Sequence, residues 1–211
     1  NKLLTTVGYR GDGTATYAIE GSVFNAGTVV QWLRDQAGFI ATAEESATLA
    51  RAARDSSVTF VPAFTGLGAP HWDPDARGAI LGITRDTTPA EIVRAGLEAV
   101  CFQTKELLDA MAADTGQRIE ILRVDGGMTA NDWLLQTLAD LLDTPVDRPT
   151  YLESSVHGAA LMAGLGAGLY GSLDDLAMGR KTERLFEPSQ TADWRNAAFA
   201  DWQTSVARVR Q

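Results

Sequence analysis

The sequence has little of the chemistry that metal centres, disulfide scaffolds and nucleic-acid binders need. Its 211 residues include one cysteine and two histidines, so neither an internal disulfide nor a zinc-type cluster is expected. Lys and Arg total 18 against 27 Asp and Glu, and the formal net charge of -9 argues against a nucleic acid or an anionic membrane as partner. The longest apolar stretch, residues 159–170, contains three glycines and is too short to span a bilayer.

What is present favours a globular chain from a reducing compartment. Hydrophobic residues make up 45% of the sequence, which is enough to bury a substantial core, and we expect one domain over residues 1–211. Cys101 lies in an apolar helical pattern and is interpreted as a buried hydrophobe, so a cytoplasmic location is expected. The sequence shows no signal peptide and begins with Asn1, which suggests part of a longer protein.

The most informative segment is residues 119–131. An apolar run ends at Asp125, two glycines follow as Gly126 and Gly127, and a helical pattern then begins. A strand that breaks into Gly-Gly and restarts as a helix leaves N–H groups where phosphates or a ribose can approach the backbone. Asn131 lies four residues after Gly127, so a helix would place its amide one turn further along the same face, ready for a nucleobase. A tight turn whose glycines only supply positive φ fits this segment equally well.

A second segment repeats this arrangement near the start of the chain. Gly27 and Gln31 again place a bare backbone patch and an amide one helical turn apart. Taken alone, this segment favours a helix packed closely on a sheet. Two such elements in one chain favour a nucleotide slot between the two helices.

The order of elements predicts an α/β domain with a mixed sheet flanked by helices. We expect a hairpin around the turn at residues 10–13, and a helix of small residues packed tightly under the sheet. The predicted strands are 3–8, 14–23, 58–64, 79–84, 119–124 and 145–148, and the predicted helices begin near 25, 43, 88, 131, 155 and 191.

Other site chemistries find little support. No Walker-type loop and no nucleophile elbow are present. His157, on a helix of small residues, is more often packed than catalytic, and Asp73 and Asp75 alternate with Pro74 as turn formers do. Asp125 is interpreted equally well as the cap of the Gly-Gly turn or as a carboxylate that orders a magnesium-bound water.

Several motifs resemble those of a known enzyme family. The loop at residues 62–74, followed by Arg77 and Gly78, resembles the segment typical of glycerol kinases, which are FGGY carbohydrate kinases of the actin/hexokinase-like (ribonuclease H-like) ATPase superfold. Residues 78–98 nearly match the second family signature, although Gly96 is smaller than the pattern expects. Residues 123–127 and 158–164 also fit, and the resemblance extends to about Trp202.

The resemblance implies an ATP-binding half of a phosphotransferase with glycerol as acceptor. It implies that ATP or ADP contacts four residues and that Mg²⁺ arrives on the nucleotide. It also implies that the polyol pocket and the catalytic base lie on an N-terminal domain, so we expect no catalytic residue and no protein-held metal in this chain. The implied nucleotide contacts are Gly27, Gln31, Gly127 and Asn131, with Gly126 and Asp125 as weaker candidates.

Two other interpretations remain at this stage. The chain could belong to an FGGY kinase for another polyol or sugar, or, less well supported, to a non-catalytic actin-like nucleotide-binding module. A homo-oligomer of the full-length enzyme is also compatible with the resemblance. Trp194 stands where regulated bacterial relatives use an acidic residue to help hold a bridging metal, so regulation through residues 188–197 is not expected.

Overall fold

A computed structural model describes residues 3–11, 13–177 and 179–210 of the chain. They divide into two compact units, one formed by Asn1–Ile119 with Gln190–Gln211 and the other by Glu120–Ser189. Asp12, in the turn of the predicted hairpin, lies outside the described residues. The assignment of a single functional domain to the whole chain stays a prediction.

The first unit contains a hairpin, a short two-stranded sheet and four helices. The hairpin pairs β1 with β2, and the sheet pairs β3 with β4, both antiparallel. Their bounds are β1 Leu4–Gly11, β2 Thr14–Glu20, α1 Gly27–Asp35, α2 Glu45–Ala52, β3 Thr59–Val61, β4 Ala79–Leu81 and α3 Pro89–Thr115, with a C-terminal helix, α7, at Ala192–Val209.

The long helix α3 organises this unit because its sequence fixes both ends. Thr88 and Glu91 form a capping box at its start, and Gly116, with φ of 72°, ends it in a left-handed conformation. Between these ends α3 packs against α1, α2, β3 and α7. Trp202 of α7 is fully buried and stacks on Phe102 of α3, with ring centroids 5.3 Å apart.

The second unit is built around a three-stranded mixed sheet in the order β5-β6-β7. β5 pairs with β6 in parallel, and β6 pairs with β7 antiparallel. The bounds are β5 Leu122–Arg123, a 3₁₀ helix at Gly127–Ala130, α4 Asp132–Leu142, β6 Val146–Pro149, α5 Ser154–Gly166, α6 Leu173–Ala177 and β7 Thr182–Phe186. The fold class predicted from the sequence is therefore confirmed, although the described strands form three separate sheets.

Several details of individual elements differ from the expectations. The predicted strands at 58–64, 79–84 and 119–124 shorten to three, three and two residues, because the neighbouring residues lie in irregular segments. β7 and the short α6 were not predicted. The helix predicted to pack tightly under the sheet, α5, buries only Gly164 among its residues. Small side chains permit close packing, but they do not supply a partner.

Within the described residues, no helix combines the length and the apolar character that a membrane crossing requires.

Candidate functional site

The first predicted element is the start of α1. Gly27 is the first residue of this helix and Gln31 lies one turn later, as the sequence predicted. The N-cap residue is Ala26, which has no side chain able to accept a hydrogen bond from the first turn. The N–H groups in the first turn of α1 therefore donate no hydrogen bond to an N-cap side chain.

A cavity of about 810 Å³ lies beside Gln31 in the first unit. Trp32 forms one part of its wall, with its ring centroid 5.5 Å from the centroids of both Phe60 and Phe64. Asn25, 4% exposed, contributes a buried amide to the same lining. Gln31 is thus an exposed amide at the margin of an aromatic recess, an arrangement that suits a flat polar ring system.

Two glycines place α1 against the rest of its unit. A Cβ on Gly96 of α3 would lie 3.0 Å from Val29 and 3.1 Å from Leu33, so the small residue at this signature position allows α1 to approach closely. A Cβ on Gly68 would overlap the carbonyl oxygen of Ser22, which also accepts a hydrogen bond from the N–H of Ala69 at 3.0 Å. The loop at residues 62–74 therefore supports the segment that leads into Gly27.

The second predicted element is the turn after β5. Gly126 has φ of 85°, whereas Gly127, the first residue of the 3₁₀ helix, is not among the glycines with positive φ, so the requirement for positive φ falls on Gly126 and not on Gly127. Among the described residues, no atom beyond the adjacent residues lies within 4 Å of a Cβ built on either glycine. The space over the two glycines is open, which fits close approach of a phosphate or a ribose to the backbone.

Asn131 is not placed on a helix one turn after Gly127, so that expectation was wrong. It is the N-cap of α4, and its Oδ1 accepts a hydrogen bond from the N–H of Leu134 at 3.0 Å. Asparagine is a favoured N-cap residue, because its side-chain oxygen accepts a hydrogen bond from an N–H of the first helical turn. The 3₁₀ helix ends at Ala130, so Asn131 separates it from α4. Asn131 stays beside the Gly-Gly turn, because its own N–H donates to the carbonyl of Met128 at 3.1 Å.

The remaining acidic and histidine candidates have structural partners or lie in solvent. Asp73 Oδ1 accepts from the N–H groups of Asp75 and Ala76, at 3.1 and 3.0 Å, so its interpretation as a turn former is confirmed. His157 packs on Tyr151, with ring centroids 5.0 Å apart. Asp125 is exposed, and among the described residues its carboxylate accepts no hydrogen bond from the Gly-Gly turn.

The structure offers no protein-held metal centre among the residues it describes: no three His, Cys, Asp or Glu side chains are grouped to hold an ion. Cys101 is buried, and burial raises the pKa of its thiol well above the ordinary value, so it is not a reactive thiolate.

Sequence reasoning missed the residues that hold the Gly-Gly turn in place. Thr129 is buried, and its hydroxyl donates to the carbonyl of Gly126 at 2.6 Å. Arg148, on β6, donates from Nη1 to the carbonyl oxygen of Thr129 at 2.9 Å. Hydrogen bonds to the carboxylates of Glu183 and Asp132 raise the pKa of Arg148. In the sequence, Arg148 and Pro149 mark only the end of a predicted strand, and no local pattern indicates that Arg148 contacts Thr129.

The predicted residues therefore form two local groups. Gly27 and Gln31 lie on α1 in the first unit, and Gly126, Gly127 and Asn131 lie on one turn in the second unit. Each group combines exposed backbone with a nearby side-chain amide. That all of them meet one ligand stays a prediction.

Comparisons with known proteins identify the family to which this chain belongs. The model of the FGGY family of carbohydrate kinases, C-terminal domain, matches residues 2–167. Glycerol kinases of Alcanivorax borkumensis and Alteromonas mediterranea are 56% and 55% identical to this chain over its whole length. The chain spans 43% and 42% of those two proteins, which is less than half of each.

Solved structures agree with the sequence comparisons. A crystal structure of Plasmodium falciparum glycerol kinase with ADP superposes with a TM-score of 0.89 at 35% identity, covering 98% of this chain and 42% of that one. A ligand-bound xylulose kinase from Lactobacillus acidophilus gives a TM-score of 0.75 at 25% identity, covering 94% of this chain and 41% of that one.

The fold is that of the actin/hexokinase-like ATPases. Within that class, the chain belongs to the FGGY family of carbohydrate kinases, and it matches their C-terminal domain.

Proposed function

We propose that this chain is the ATP-binding, C-terminal half of a glycerol kinase, which transfers the γ-phosphoryl group of ATP to glycerol to give glycerol 3-phosphate. The observation that carries this proposal is identity of 52–56% to glycerol kinases over 99–100% of the chain. The xylulose kinase structure, at 25% identity, is a more distant relative, which favours glycerol over a pentulose as the acceptor.

We assign nucleotide contacts to the two elements described above. Gly27 and Gly127 expose backbone to phosphates or ribose, and Gln31 and Asn131 supply amides that both donate and accept hydrogen bonds. The support is geometric, because α1 lacks a side-chain cap and the space over Gly127 is open. Gly126 is assigned a conformational role, with its φ of 85°, and Asp125 remains a weaker candidate.

The chemistry assigned to this half is binding and orientation. Phosphoryl transfer depends on positioning and on charge neutralisation, and Mg²⁺ bound to the nucleotide supplies part of that neutralisation. The exposed Asp125 suits an outer position near such a cation, but no described cluster suits direct metal ligation. We assign no catalytic base to these residues, so we propose that residues 1–211 alone do not turn over glycerol.

The location proposed for the enzyme is the cytoplasm. Support comes from the use of ATP and from the one cysteine of the sequence, which is buried and cannot form a disulfide within the chain.

A coupled assay of ADP release tests the proposed function. The complete gene product that contains this chain should release ADP in the presence of ATP, Mg²⁺ and glycerol, at a much higher rate than with xylulose. Purified residues 1–211 should give only the background rate. Equal rates with glycerol and xylulose would assign the chain to another FGGY kinase, and glycerol-dependent turnover by residues 1–211 would contradict the division of labour.

A further inference from the structure

A buried arginine lies beneath the Gly-Gly turn. The Arg148 side chain is 11% exposed and extends from β6 towards the 3₁₀ helix of the second unit. Its Nη1 donates to two acceptors, the carbonyl oxygen of Thr129 at 2.9 Å and Oδ1 of Asp132 at 2.7 Å. In the sequence, Thr129 and Asp132 lie on either side of the pair Ala130 and Asn131. One nitrogen of one side chain therefore fixes both ends of the segment that contains the predicted amide.

The same contact reaches the glycines. Thr129 accepts from Arg148 through its carbonyl, and its N–H and hydroxyl both donate to the carbonyl of Gly126, at 3.0 and 2.6 Å. A displacement of Thr129 therefore changes the geometry of Gly126 and of the adjacent Gly127. In the part of the chain that the structure describes, no atom beyond the adjacent residues lies within 4 Å of a Cβ placed on Gly127, so side-chain packing above the turn does not hold it.

The guanidinium group is itself held in one orientation. Its Nε donates to Glu183 Oε2 at 2.6 Å, and its Cζ lies 5.3 Å from the ring centroid of the buried Phe186. A planar fork with several donors makes these contacts simultaneously, whereas a lysine ammonium is a single point of charge. The geometry at Thr129 therefore depends on arginine in particular.

We propose that Arg148 is a positioning residue for the nucleotide: it holds the turn from Gly126 to Asn131 in the conformation that meets ATP or ADP. It touches neither substrate and acts through Thr129 and Asp132. This inference rests on the proposed function, because it names how the second unit keeps its nucleotide contacts in place.

A matched control exists on the neighbouring strand. Arg184 donates to the other carboxylate oxygen of Asp132, and its guanidinium lies 4.5 Å from the ring centroid of Phe186. It is half exposed, and among the described residues no hydrogen bond joins it to Thr129. Removing Arg184 therefore repeats the loss of charge near Asp132 and Phe186 without releasing the turn.

The test compares Arg148→Met, Arg148→Lys and Arg184→Met in the complete gene product. Without nucleotide, amide hydrogen exchange at residues 126–131 should quicken about tenfold in Arg148→Met, because a buried carbonyl loses its charged donor. The Kd for Mg-ADP and the KM for ATP should each rise about tenfold, as expected for loss of one charge-assisted hydrogen bond. The KM for glycerol should stay unchanged, Arg148→Lys should recover part of the loss, and Arg184→Met should match wild type.

Each contrary result has a definite meaning. Unchanged exchange at residues 126–131 in Arg148→Met overturns the inference, whatever the enzyme binds. A KM for glycerol that rises in parallel with the KM for ATP, together with a fall in melting temperature, reduces Arg148 to a general structural role and also overturns it. Failure of the wild-type protein to bind Mg-ADP instead rejects the proposed function, while the exchange result still decides whether Arg148 holds the turn.

Discussion

The side-chain oxygen of Asn131 accepts a hydrogen bond from the backbone N–H of Leu134 at 3.0 Å. The residue assigned to the nucleotide is therefore also the N-cap of α4, and one face of its amide is already committed to the fold. Any substitution of Asn131 changes two quantities, helix stability and nucleotide affinity, and only a substitution that preserves the cap separates them.

Asn131→Ser should separate the two roles. Serine accepts the Leu134 N–H nearly as well as asparagine does, so the melting temperature should stay close to wild type, but the amide is lost. Nucleotide affinity should fall by about 1–3 kcal/mol if a polar ligand group is left unpaired. Asn131→Ala should lose the same affinity and, in addition, about 1 kcal/mol of stability from the missing cap.

Calorimetric titration with Mg-ADP and thermal melting measure the two effects in the complete gene product. Wild-type affinity in Asn131→Ser, with lower stability in Asn131→Ala alone, would leave Asn131 with only its capping role.

The two adjacent glycines should respond differently to the same added methyl group. Gly127→Ala should fold normally, because among the described residues its Cβ meets no atom beyond its chain neighbours within 4 Å, and Gly127 is not among the glycines with positive φ. The methyl group should nevertheless weaken nucleotide binding by filling the space over the turn. Gly126→Ala, at φ of 85° and ψ of 171°, a conformation nearly confined to glycine, should cost about 1–3 kcal/mol of stability from backbone strain.

Melting curves and Mg-ADP titrations of both variants check this contrast. Unaltered binding in Gly127→Ala would remove the proposed approach of the ligand to this part of the backbone.

Gly68→Ala should destabilise the first unit. Its Cβ would overlap the carbonyl of Ser22, a backbone atom that cannot move without displacing the segment before α1. The expected cost is about 1–3 kcal/mol, typical of overpacking. The control is Gly158→Ala, where the added Cβ meets nothing within 4 Å inside α5, and a gain of about 0.5–1 kcal/mol is expected from helix propensity. Similar melting temperatures for the two variants would show that the loop at residues 62–74 does not support α1.

The capping box of α3 should make stability depend on acid pH. The hydroxyl and N–H of Thr88, and then Arg54, lower the pKa of Glu91 from 4.5 to about 2. Because the folded protein favours the charged carboxylate, this contribution is complete above pH 4.5 and is lost as the pH falls towards 2. Glu91→Gln keeps an acceptor oxygen but does not titrate, so its melting temperature should fall less steeply over that window. Parallel curves for wild type and Glu91→Gln would contradict this account of the cap.

How far the sequence predicts the structure depends on whether the signal is local. Thr88, Pro89 and Glu91 form a start signal that predicts α3 from four adjacent residues, and Gly27 with Gln31 needs only helical periodicity. The N-cap role of Asn131 also has a local signal, since an asparagine directly precedes Asp132 and the leucines of α4. The two preceding glycines favoured a ligand contact for the same residue, so the sequence predicted that role and not the cap.

Other features were not local. Arg148 lies 19 residues from Thr129, and their contact depends on the pairing of β5 with β6 and on the placement of the 3₁₀ helix. The exposure of α5 could not be predicted either, because a helix of small residues has the composition of a packed helix whether or not a partner lies in its own unit. Periodicity reports which face is apolar, and it does not report what covers that face.

The central proposal is that the side-chain amides of Gln31 and Asn131 both contribute to nucleotide binding. Gln31 is exposed and Asn131→Ser keeps its cap, so the double variant Gln31→Ala/Asn131→Ser should fold like wild type. The decisive measurement is a calorimetric titration of the complete gene product with Mg-ADP. Each single variant should bind more weakly than wild type, and the double variant should bind more weakly than either single variant. Wild-type affinity in the double variant would contradict the account.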